Sequence, residues 1–505
     1  MEISVKHLNA LKNFKTDFLI CFVTAKSAKN SARAFLSPAL QKRFQEECMR
    51  ADFQGELGTH IALDVQGKFF TKLIVSGLGE EQALAIEKIR RSAAGAVKTA
   101  KNFGGGEIAF HAPETPRVSP EHIGIALSEA VLLTDYVFDQ YKSKKVKTGK
   151  IIKTVVLSVQ EDKALAQGVR RGVAYASGTI FARNLVNEPG SSILPKTLAE
   201  HAQAIAKEDE DISVTVFNRD ALKKHGFGGI LGISQGSPEE PYFIHLVYKP
   251  KAGAKKSEKI GIVGKGVTFD TGGLSLKPAK YMETMKIDMA GAAALLGVFK
   301  VFKEVKPSLE IHGFIATCDN MPFANAVKPG DIITSYNGKT IEVANTDAEG
   351  RIILADALAY ACEQKMDVII DIATLTGACL YALGTEIGGL FTNDDALAQE
   401  ILSVGEVAGE DYCRLPLYEY YKESITKNTI ADIKNISAMP EAGALTAALF
   451  LQEFVTIKKW AHIDIGGSAY YESSKTPYIP SGATGNPVRT LLHFLHLHET
   501  KISSA

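Results

Sequence analysis

Two carboxylates, Asp347 and Glu349, stand two positions apart in the segment Asn345–Arg351, which reads Asn-Thr-Asp-Ala-Glu-Gly-Arg. Closely spaced carboxylate oxygens are the ligands that hard divalent cations prefer. A strand-like run, Lys339–Val343, precedes this acidic turn, and a helix-like run, Ile352–Cys362, follows it. The turn is therefore predicted at the junction of a strand and a helix, where ligands bind in an open α/β sheet.

Two upstream blocks each add one acidic residue: Asp270 within Gly264–Pro278, and Asp288 within Met285–Gly291. The spacing i, i+3, i+4, i+7 predicts that one helical face is shared by Met285, Asp288, Met289 and Ala292. This face should point into the core, and a buried carboxylate is costly unless it is paired or binds a metal. Taken alone, Asp288 could equally cap a loop or pair with a lysine, but the neighbouring blocks favour a metal site.

The four carboxylates of these blocks carry a formal charge of −4, which matches two divalent cations. Oxygen ligands suit Mg²⁺ and Mn²⁺, and carboxylates also bind Zn²⁺. Two metals roughly 3.5–4 Å apart can share a water and make it a nucleophile near neutral pH. Such a site also needs positive groups directed at the developing oxyanion, and the candidates are Lys277 and Arg351.

The blocks resemble the leucyl aminopeptidase family, the cytosol aminopeptidases or M17 metallopeptidases. The acidic turn matches the family signature at every residue, and the resemblance runs over roughly residues 180–490. Further matching segments are Asn184–Pro189, Thr374–Ala378, Ala431–Asn435 and Trp460–Ile465. Two departures are visible: Gly466 stands where the family usually has alanine, and Asn486-Pro487 interrupts the usual Gly-Ala-Thr-Gly-x-Gly-Val-Arg ending. Both concern pocket shape and packing rather than chemistry.

The resemblance implies a role for each ionic residue. Asp270 and Glu349 would bridge the two metals, and Lys265 and Asp288 would complete the tight site. Asp347, through its side chain and main-chain carbonyl, would complete a looser, exchangeable site. A lysine ligand must be neutral, whereas an unperturbed lysine has a pKa of about 10.4. The adjacent dication makes the neutral form accessible, and binding releases a proton. Lys265 alone could instead form a salt bridge with Asp270.

The resemblance also implies a reaction, the hydrolysis of the first peptide bond of short peptides. The amino terminus of the substrate would bind one metal, and the scissile carbonyl would contact the other metal and Lys277. A bicarbonate held at Arg351 is similar to the general base of the family, and the start of a helix suits an anion there. The backbone of Leu375 would help to hold that anion.

A pocket for the first side chain is implied at Met285, Asn345, Thr374 and Gly377. Its apolar lining favours Leu or Met over charged first residues. One methylene is worth only about 1–3 kcal/mol in such a pocket, so broad specificity is expected. Members of the family are hexamers of two stacked trimers around an inner cavity, and the resemblance therefore implies a homohexamer that admits short peptides.

Composition places the chain among ordinary globular proteins, with 505 residues, 46% hydrophobic and 23% charged residues and zero net charge. This length indicates two or three domains. An apolar run of 18 residues and a signal-like start are both missing, so neither a membrane span nor secretion is expected. The six cysteines are scattered without a CxxC pair, which predicts reduced thiols and a cytoplasmic protein.

The expected fold is α/β with two domains: an N-terminal domain over 1–160, a helical connector over 161–186, and a catalytic two-metal domain over 187–505. The resemblance implies a small α/β/α first domain and a larger mixed-sheet α/β/α metallopeptidase domain. In the first domain, strands are predicted at Phe18–Val23, Lys72–Ser76, Ile108–Ala112 and Ile152–Val159, and helices at Glu81–Ala100 and Pro120–Tyr136. The turn Phe103–Gly106 follows a helix, so a C-cap glycine explains it more simply than a phosphate loop.

The first 150 residues carry 22 Lys and Arg against 16 Asp and Glu, a net charge of +6. They end in the basic run Lys142, Lys144, Lys145, Lys147 and Lys150. Some bacterial relatives of the family it resembles bind DNA, so the alternative function is a DNA-binding regulatory protein that uses this domain. A linker or a solvated edge explains the run more simply, and a salt titration of duplex binding would separate the two.

A third hypothesis is a scaffold that has lost its chemistry. The intact set of charges argues against it, because a decayed site should lose buried charges that metals no longer balance. Other patterns are weaker. Gly261–Gly266 is not GxGxxG, and neither GxxxxGK[ST] nor HExxH occurs. His493, His496 and His498 have metal-like spacing but lie on an apolar C-terminal helix, and His462 is predicted to be a hydrogen-bonded core histidine.

Overall fold

The computed structural model describes residues 1–13, 15–28, 36–65, 67–145, 148–159, 162–251, 258–428, 430–439 and 441–504. Two compact units are present. The first comprises Met1–Ser177 with Ser473–Ser481, and the second comprises Gly178–Glu472 with Gly482–Ala505. The expected boundary between residues 160 and 161 lies outside the described residues, as does Lys147 of the basic run. Among the described helices, none is long and apolar enough to cross a membrane.

The first unit alternates strands and helices. Its elements are β1 (Glu2–His7), β2 (Thr16–Val23), α1 (Ala25–Ala28), α2 (Pro38–Arg50), β3 (His60–Asp64), β4 (Phe70–Gly77), α3 (Ile86–Asn102), β5 (Gly105–His111), α4 (Pro120–Asp135), β6 (Lys150–Ser158) and α5 (Lys163–Asn187), which continues into the second unit. Ser37 and Ser119 begin α2 and α4 as N-caps, each followed by proline at the first helical position.

The six strands of the first unit form one sheet in the order β1-β6-β5-β2-β4-β3, parallel except for the β3–β4 pair. Helices cover both faces. Leu19 and Cys21 of β2 pack with Leu40 and Phe44 of α2 on one face, while α3 and α4 pack together and contact the sheet from the other. This arrangement confirms the small α/β/α domain.

Two details of this unit differ from or refine the sequence prediction. The helix predicted from Glu81 begins only at Ile86, because Ala85 is extended and a separate 3-10 turn occupies Glu81–Ala83. After α3, Phe103 is the C-cap and Gly104 follows with φ +105°, a conformation that favours glycine. This agrees with the prediction of a helix-terminating glycine.

The second unit is larger. Its elements are α6 (Pro195–Glu208), β7 (Ile212–Phe217), α7 (Arg219–His225), α8 (Gly228–Ile233), β8 (Tyr242–Tyr248), β9 (Lys259–Asp270), α9 (Ala279–Met282), α10 (Ala290–Lys300), α11 (Phe302–Val305), β10 (Glu310–Asn320), β11 (Ile332–Thr334), β12 (Thr340–Glu342), α12 (Gly350–Glu363), β13 (Val368–Ala373), α13 (Gly377–Leu383), β14 (Ile387–Thr392), α14 (Asp395–Ala408), β15 (Asp411–Arg414), α15 (Glu423–Thr426), β16 (Ile433–Lys434), α16 (Gly443–Gln452), β17 (Trp460–Asp464), β18 (Tyr470–Tyr471), β19 (Gly482–Ala483) and α17 (Val488–Ser504).

An eight-stranded mixed sheet, β15-β14-β17-β13-β9-β10-β8-β7, forms the centre of this unit. Its four central strands, β17, β13, β9 and β10, run parallel, whereas β14 and β8 pair antiparallel with them. Val263 of β9 packs in the cluster that contains α12, whereas a Cβ at the next residue, Gly264, would meet the α10 backbone. Because successive strand residues face opposite sides, α10 and α12 cover opposite faces of the sheet. The larger mixed-sheet domain is therefore also confirmed.

Two predictions for the segments around the acidic residues were partly wrong. The strand before the acidic turn is β12, and it belongs to a separate three-stranded sheet with β11 and β16, not to the main sheet. Met285–Ala292 is not one helix: a 3-10 turn covers Met285–Ile287 and α10 begins at Ala290, so Asp288 lies between them. Periodicity alone could not separate two short helical pieces from one. Asp288 is nevertheless buried, as predicted.

Candidate metal centre

Several polar residues meet where the parallel central strands of the main sheet end. Asp270 and Asn320 are the last residues of β9 and β10, Thr374 directly follows β13, and Asp464 ends β17. Carboxyl ends of neighbouring parallel strands share one edge of a sheet, which is the usual ligand-binding edge of open α/β sheets.

The amine of Lys265 lies within a buried group of acceptors. Its Nζ donates to Asp288 Oδ1 at 2.7 Å and to the carbonyl of Thr374 at 3.0 Å, and it lies 2.9 Å from Glu349 Oε1. Gly350 makes room for it, because a Cβ there would come within 2.4 Å of Lys265 Cε. The salt bridge considered between Lys265 and Asp270 does not occur. Lys265 Nζ pairs with the carboxylates of Asp288 and Glu349 instead.

Asp270 pairs instead with Lys277. The Lys277 Nζ lies 2.7 Å from Asp270 Oδ2 and 2.5 Å from Asp347 Oδ1. Asn320 Nδ2 donates to the other oxygen of Asp270 at 2.8 Å. Lys277 therefore joins the upstream block to the acidic turn.

The carboxylates form one cluster whose charge the two lysines only partly balance. Ligand oxygens of Asp270, Asp347 and Glu349 lie within 4.8 Å of one another, close enough to hold a metal ion. Asp288 Oδ2 is buried and has no hydrogen-bond partner among the described residues. Two ammonium groups thus face four carboxylates, and one of those carboxylates keeps an unused buried acceptor.

Burial and mutual repulsion shift the pKa values of this cluster. Burial raises the pKa of the Asp270 carboxyl to about 6, and the charge of Glu349 adds to the shift. Burial also holds the pKa of Asp288 well above its ordinary value. Burial alone would lower the pKa of Lys265, but the charges of Asp288 and Glu349 outweigh it and raise that pKa. The cluster therefore stabilises added positive charge.

The acidic turn is held by hydrogen bonds from outside the signature. Asn435 Nδ2 donates to the carbonyl of Asn345 at 2.6 Å, and its Oδ1 accepts from the backbone N–H of Ala344 at 2.8 Å. Thr346 Oγ1 donates to the carbonyl of Gly272 at 2.6 Å, which ties the turn to the loop that carries Lys277. These bonds fix the backbone that presents Asp347 and Glu349.

Asp464 organises the loop after β13. Its Oδ1 accepts from the backbone N–H of Leu375 at 3.2 Å, and its Oδ2 accepts from Thr376 Oγ1 at 2.7 Å. Thr374 Oγ1 in turn donates to Asp288 Oδ1 at 2.7 Å. A Cβ at Gly466, one of the two departures, would lie 2.8 Å from the carbonyl of Thr376, so the glycine permits a close approach of backbone to this loop.

Arg351 lies in the first turn of α12 and is buried. Its Nη1 donates to the carbonyl of Asn435 at 2.7 Å, while its buried Nε has no hydrogen-bond partner in the described part of the chain. Burial lowers the pKa of the Arg351 guanidinium to about 10, which still leaves it charged at neutral pH. A charged buried donor at a helix start can hold an anion.

The structure brings together the ionic residues that were predicted from the sequence, and Thr374 contacts two of them. The other predicted pocket residues lie beside this group. Met285 is half-buried, and its carbonyl accepts from the N–H of Asp288 at 3.4 Å. Asn345 Oδ1 accepts from the N–H of Asp347 at 2.8 Å. Leu375 is half-buried, and Gly377 begins α13 with open space where a Cβ would stand.

Three residues of the centre were missed as site residues in the sequence. Asn320 and Asp464 each end an apolar strand-like run, and this position could have marked them as candidates. Asn435 gives no such signal, because it follows the two-residue strand β16 and reaches the acidic turn only through the three-stranded sheet. The segment Ala431–Asn435 resembles the family, but the resemblance assigns no role to Asn435.

The prediction for His462 agrees with the structure. His462 is fully buried in β17, and its Nδ1 lies 2.6 Å from Asp371 Oδ1. Burial lowers the pKa of His462, but the charge of Asp371 outweighs it and the net shift is upward. His498 of α17 has carboxylates at both ring nitrogens, Glu258 at 2.5 Å and Glu400 at 3.0 Å.

Two family models match the chain. One is the catalytic domain of the cytosol aminopeptidase family, over residues 180–492, and the other is the N-terminal domain of the same family, over residues 20–145. The chain belongs to the cytosol aminopeptidase family. The resemblance read from the sequence motifs is thereby confirmed, and the protein is a metal-dependent aminopeptidase, a hydrolase.

Relatives of this aminopeptidase match over nearly the whole chain. A probable cytosol aminopeptidase of Aquifex aeolicus is 40% identical over 486 residues, which is 96% of each chain. A mutant of tomato leucine aminopeptidase is 34% identical with a TM-score of 0.87, over 98% of this chain and 96% of that one. The bottromycin maturation enzyme BotP in complex with Mn is 31% identical with a TM-score of 0.84, over 96% and 100%. These matches give no support to the DNA-binding alternative.

The residues of the aminopeptidase centre fit divalent metals. Clustered carboxylate oxygens are suitable ligands, and the unused buried oxygen of Asp288 offers a further one. Lys265 can ligate once it loses its proton. The unpartnered Nε of Arg351 likewise fits an anion such as bicarbonate.

Proposed function

We propose that this aminopeptidase removes the first residue of short peptides, with a preference for Leu and other apolar residues, and that bicarbonate at Arg351 is its general base. One observation supports the chemistry best. Oxygens of Asp270, Asp347 and Glu349 lie within 4.8 Å of one another, in a cluster where two lysines face four carboxylates. Buried carboxylates left without full compensation are stabilised by cations.

The residues that would hold two divalent metals per subunit are Lys265, Asp270, Asp288, Asp347 and Glu349. Mn²⁺ or Zn²⁺, or else Mg²⁺, suits a set of carboxylates with one amine. When bound, such ions lower the pKa of a water and polarise the peptide carbonyl. The neighbour BotP, which is described in complex with Mn, makes manganese a reasonable first ion to test.

Lys277 would stabilise the charge that develops on the scissile carbonyl oxygen. Its side chain keeps 14% of its surface exposed, more than the 3% of Lys265, so it can face a substrate. The charges of Asp270 and Glu349 raise its pKa despite burial, so its ammonium stays protonated at neutral pH. A fixed cation aimed at a developing oxyanion is usually the largest single catalytic contribution.

Arg351 would hold bicarbonate, which when bound would supply a general base for the attacking water. The guanidinium is fixed by its bond to Asn435, and its Nε remains available within the described structure. The N–H of Leu375 already bonds to Asp464, so any part it plays in holding the anion must share that donor.

The pocket for the first side chain would be lined by Met285, Asn345, Thr374 and Gly377. The open space at Gly377 admits a branched side chain, and Met285 supplies apolar contact surface. We further propose the domain limits 1–160, 161–186 and 187–505, a homohexameric assembly and a cytoplasmic location. The names of the relatives, cytosol aminopeptidases, support the last of these.

Hydrolysis of leucine p-nitroanilide by the purified protein tests this proposal. The protein is measured as isolated, after removal of metals with a chelator, and after addition of Mn²⁺ or Zn²⁺, in buffers with and without bicarbonate. We expect activity that disappears on metal removal, returns with either ion and rises with bicarbonate. Full activity after verified metal removal would refute the metal-dependent mechanism, and a rate independent of bicarbonate would remove that anion from it.

A further inference from the structure

Lys286 ties the turn before α10 to a distant segment of the second unit. Its Nζ donates to the main-chain carbonyl of Asn187, the last residue of α5, at 2.6 Å. The two residues are 99 positions apart in the chain. Lys286 is half-buried, so this bond is shielded in part from water.

The accepting carbonyl belongs to a closely packed segment. Asn187 is buried, and its Oδ1 accepts from the backbone N–H of Ala483 at 2.9 Å. Gly482 approaches the same side chain so closely that a Cβ there would lie 2.6 Å from Asn187 Oδ1. A Cβ at Gly190 would lie 2.9 Å from the ring of Phe269 in β9. The end of α5 and the residues after it therefore pack against β19 and β9, which gives Lys286 a well-fixed acceptor.

The 3-10 turn at Met285–Ile287 divides its side chains among three sides. Such a helix has about three residues per turn, so residues three apart share one side, as Met285 and Asp288 do here. The N–H of Asp288 donates to the carbonyl of Met285 at 3.4 Å, which closes this turn. Ile287 occupies a second side and is buried, and Lys286 occupies the third. The turn is thus held on two sides, and its remaining side carries both Asp288 and Met285.

We propose that Lys286 is a positioning residue, whose bond to Asn187 sets the rotation of this turn. That rotation directs Asp288 to the metals and Met285 to the first side chain of the substrate. The inference rests on the proposed aminopeptidase reaction and adds to it a residue that acts only through two others. A misplacement of about 1 Å can cost about a hundredfold in rate, so the anchor of a short turn affects the chemistry of the side chains on it.

Binding of Mn²⁺ to the metal-free protein, followed by isothermal titration calorimetry, tests the effect on Asp288. Lys286→Met keeps the apolar stem of the side chain but removes the donor. We expect the tighter Mn²⁺ dissociation constant to rise by about 10–100-fold, the usual cost of losing a group that orients a metal ligand. Lys286→Arg keeps a cationic donor and should recover most of the affinity. This measurement does not depend on turnover.

Steady-state kinetics at saturating Mn²⁺ test the effect on Met285. Leucinamide and alaninamide differ only in the first side chain, so the ratio of their kcat/KM values reports contacts in its pocket. We expect Lys286→Met to lower this ratio about tenfold, the value of one methylene contact. A residue that merely supported the fold would lower both rates alike.

Lys280→Met is the matched control, because Lys280 is exposed on α9 and lies six residues before Lys286. It removes the same charge from a neighbouring segment and leaves the bond to Asn187 in place. Both the Mn²⁺ affinity and the substrate ratio should therefore match those of the wild type.

Three results would overturn the role of Lys286. One is an unchanged Mn²⁺ affinity together with an unchanged substrate ratio in Lys286→Met. Another is an equal loss on both substrates with a lower unfolding midpoint in the presence of chelator, which would indicate support of the fold alone. The third is an equal effect of Lys280→Met, which would assign the change to charge. A wild type that hydrolyses neither substrate would refute the underlying reaction, and the calorimetry would still decide whether Lys286 positions Asp288.

Discussion

The two units of this aminopeptidase both bury charged side chains, but they balance them differently. In the first unit, Arg90 is fully buried, and its guanidinium contacts Glu129 at 2.6 Å and also Glu87. Arg91 contacts Glu87 as well, at 2.7 Å, so two arginines face two glutamates. In the second unit, two lysines face four carboxylates.

This difference separates a structural ion network from a functional centre. A buried network with equal numbers of cations and anions is balanced, and removal of one partner leaves a buried charge without that partner. A buried cluster with excess negative charge is complete only when cations from outside join it. Changes in the first network should therefore affect folding, whereas changes in the second should affect metal binding and catalysis.

Removal of one carboxylate from the negatively charged cluster of the second unit should produce the largest loss of activity. Glu349→Gln keeps the shape of the side chain but removes a charge from the centre of the cluster. Metal ions contribute several kcal/mol of transition-state stabilisation, so we expect kcat/KM to fall by about a thousandfold or more. The control is Glu342→Gln, seven residues earlier, where the carboxylate contacts Asn428 and Lys434 instead of the centre. Comparable rates in the two variants would contradict the assignment of Glu349.

The complementary change in the first unit is Arg90→Met. It leaves Glu129, which is fully buried, without this cation, and breaking a buried pair costs about 3–5 kcal/mol. Denaturant unfolding followed by far-UV circular dichroism should show this loss, while kcat/KM of the folded protein changes little. Arg50→Met removes an exposed arginine that pairs with Glu47 at the surface and should cost less than about 1 kcal/mol. Equal midpoints for the two variants would refute the contrast between buried and exposed pairs.

The ionic residues behind this contrast were predicted from the sequence more fully than the backbone that carries them. The ionic residues could be found because each lies in a compact block of unusual composition. The local backbone around them was harder to predict. Met285–Ala292 fits a single helical period, yet a 3-10 turn and a helix share it. The strand β12 could be recognised, but its pairing with β16 depends on residues 92 positions away.

Local sequence patterns also could not predict the hydrogen bonds that position the residues of the centre. Asn435 reaches Asn345 across 90 residues, and Asn320 reaches Asp270 across 50. Contacts between residues so far apart in the chain produce no periodic pattern in the sequence. By contrast, long amphipathic or strongly apolar elements such as α12 and β2 were located to within two residues.

Added metal should stabilise the folded protein through the second unit's carboxylate cluster. A ligand that binds only the folded state stabilises it by about 2.7 kcal/mol at about 100 times its Kd. We expect Mn²⁺ to raise the midpoint of thermal unfolding of the wild type from which metals have been removed. In Asp288→Asn, the free energy of stabilisation by Mn²⁺ should be smaller by about 1.4 kcal/mol for each tenfold loss of affinity. Since the pKa of Lys265 is raised, its ammonium must lose a proton to become a ligand, so apparent affinity should increase with pH. A gain in stability that is the same for Asp288→Asn would place the metal elsewhere.

The smallest expected effect concerns a residue that positions a ligand without contacting the metals itself. Asn320 donates to Asp270 Oδ1 at 2.8 Å and to the carbonyl of Thr346 at 3.0 Å, so it fixes one carboxylate relative to the acidic turn. Partners that orient metal ligands typically contribute about 10–100-fold in metal affinity or activity. Asn320→Ala should therefore lower kcat/KM within that range and weaken Mn²⁺ binding, with partial recovery at high Mn²⁺.

Asn337→Ala is the matched control for this residue, because Asn337 lies in the exposed turn between β11 and β12 and bonds to Ser335 and Lys339. Recovery at high Mn²⁺ decides the interpretation. If Asn320 only supported the fold, added metal would leave the variant impaired, and its unfolding midpoint would fall even with the chelator present. If it orients Asp270, the defect lies in metal affinity, and the two carboxylates on either side of Lys277 remain able to bind when the concentration of metal is high enough.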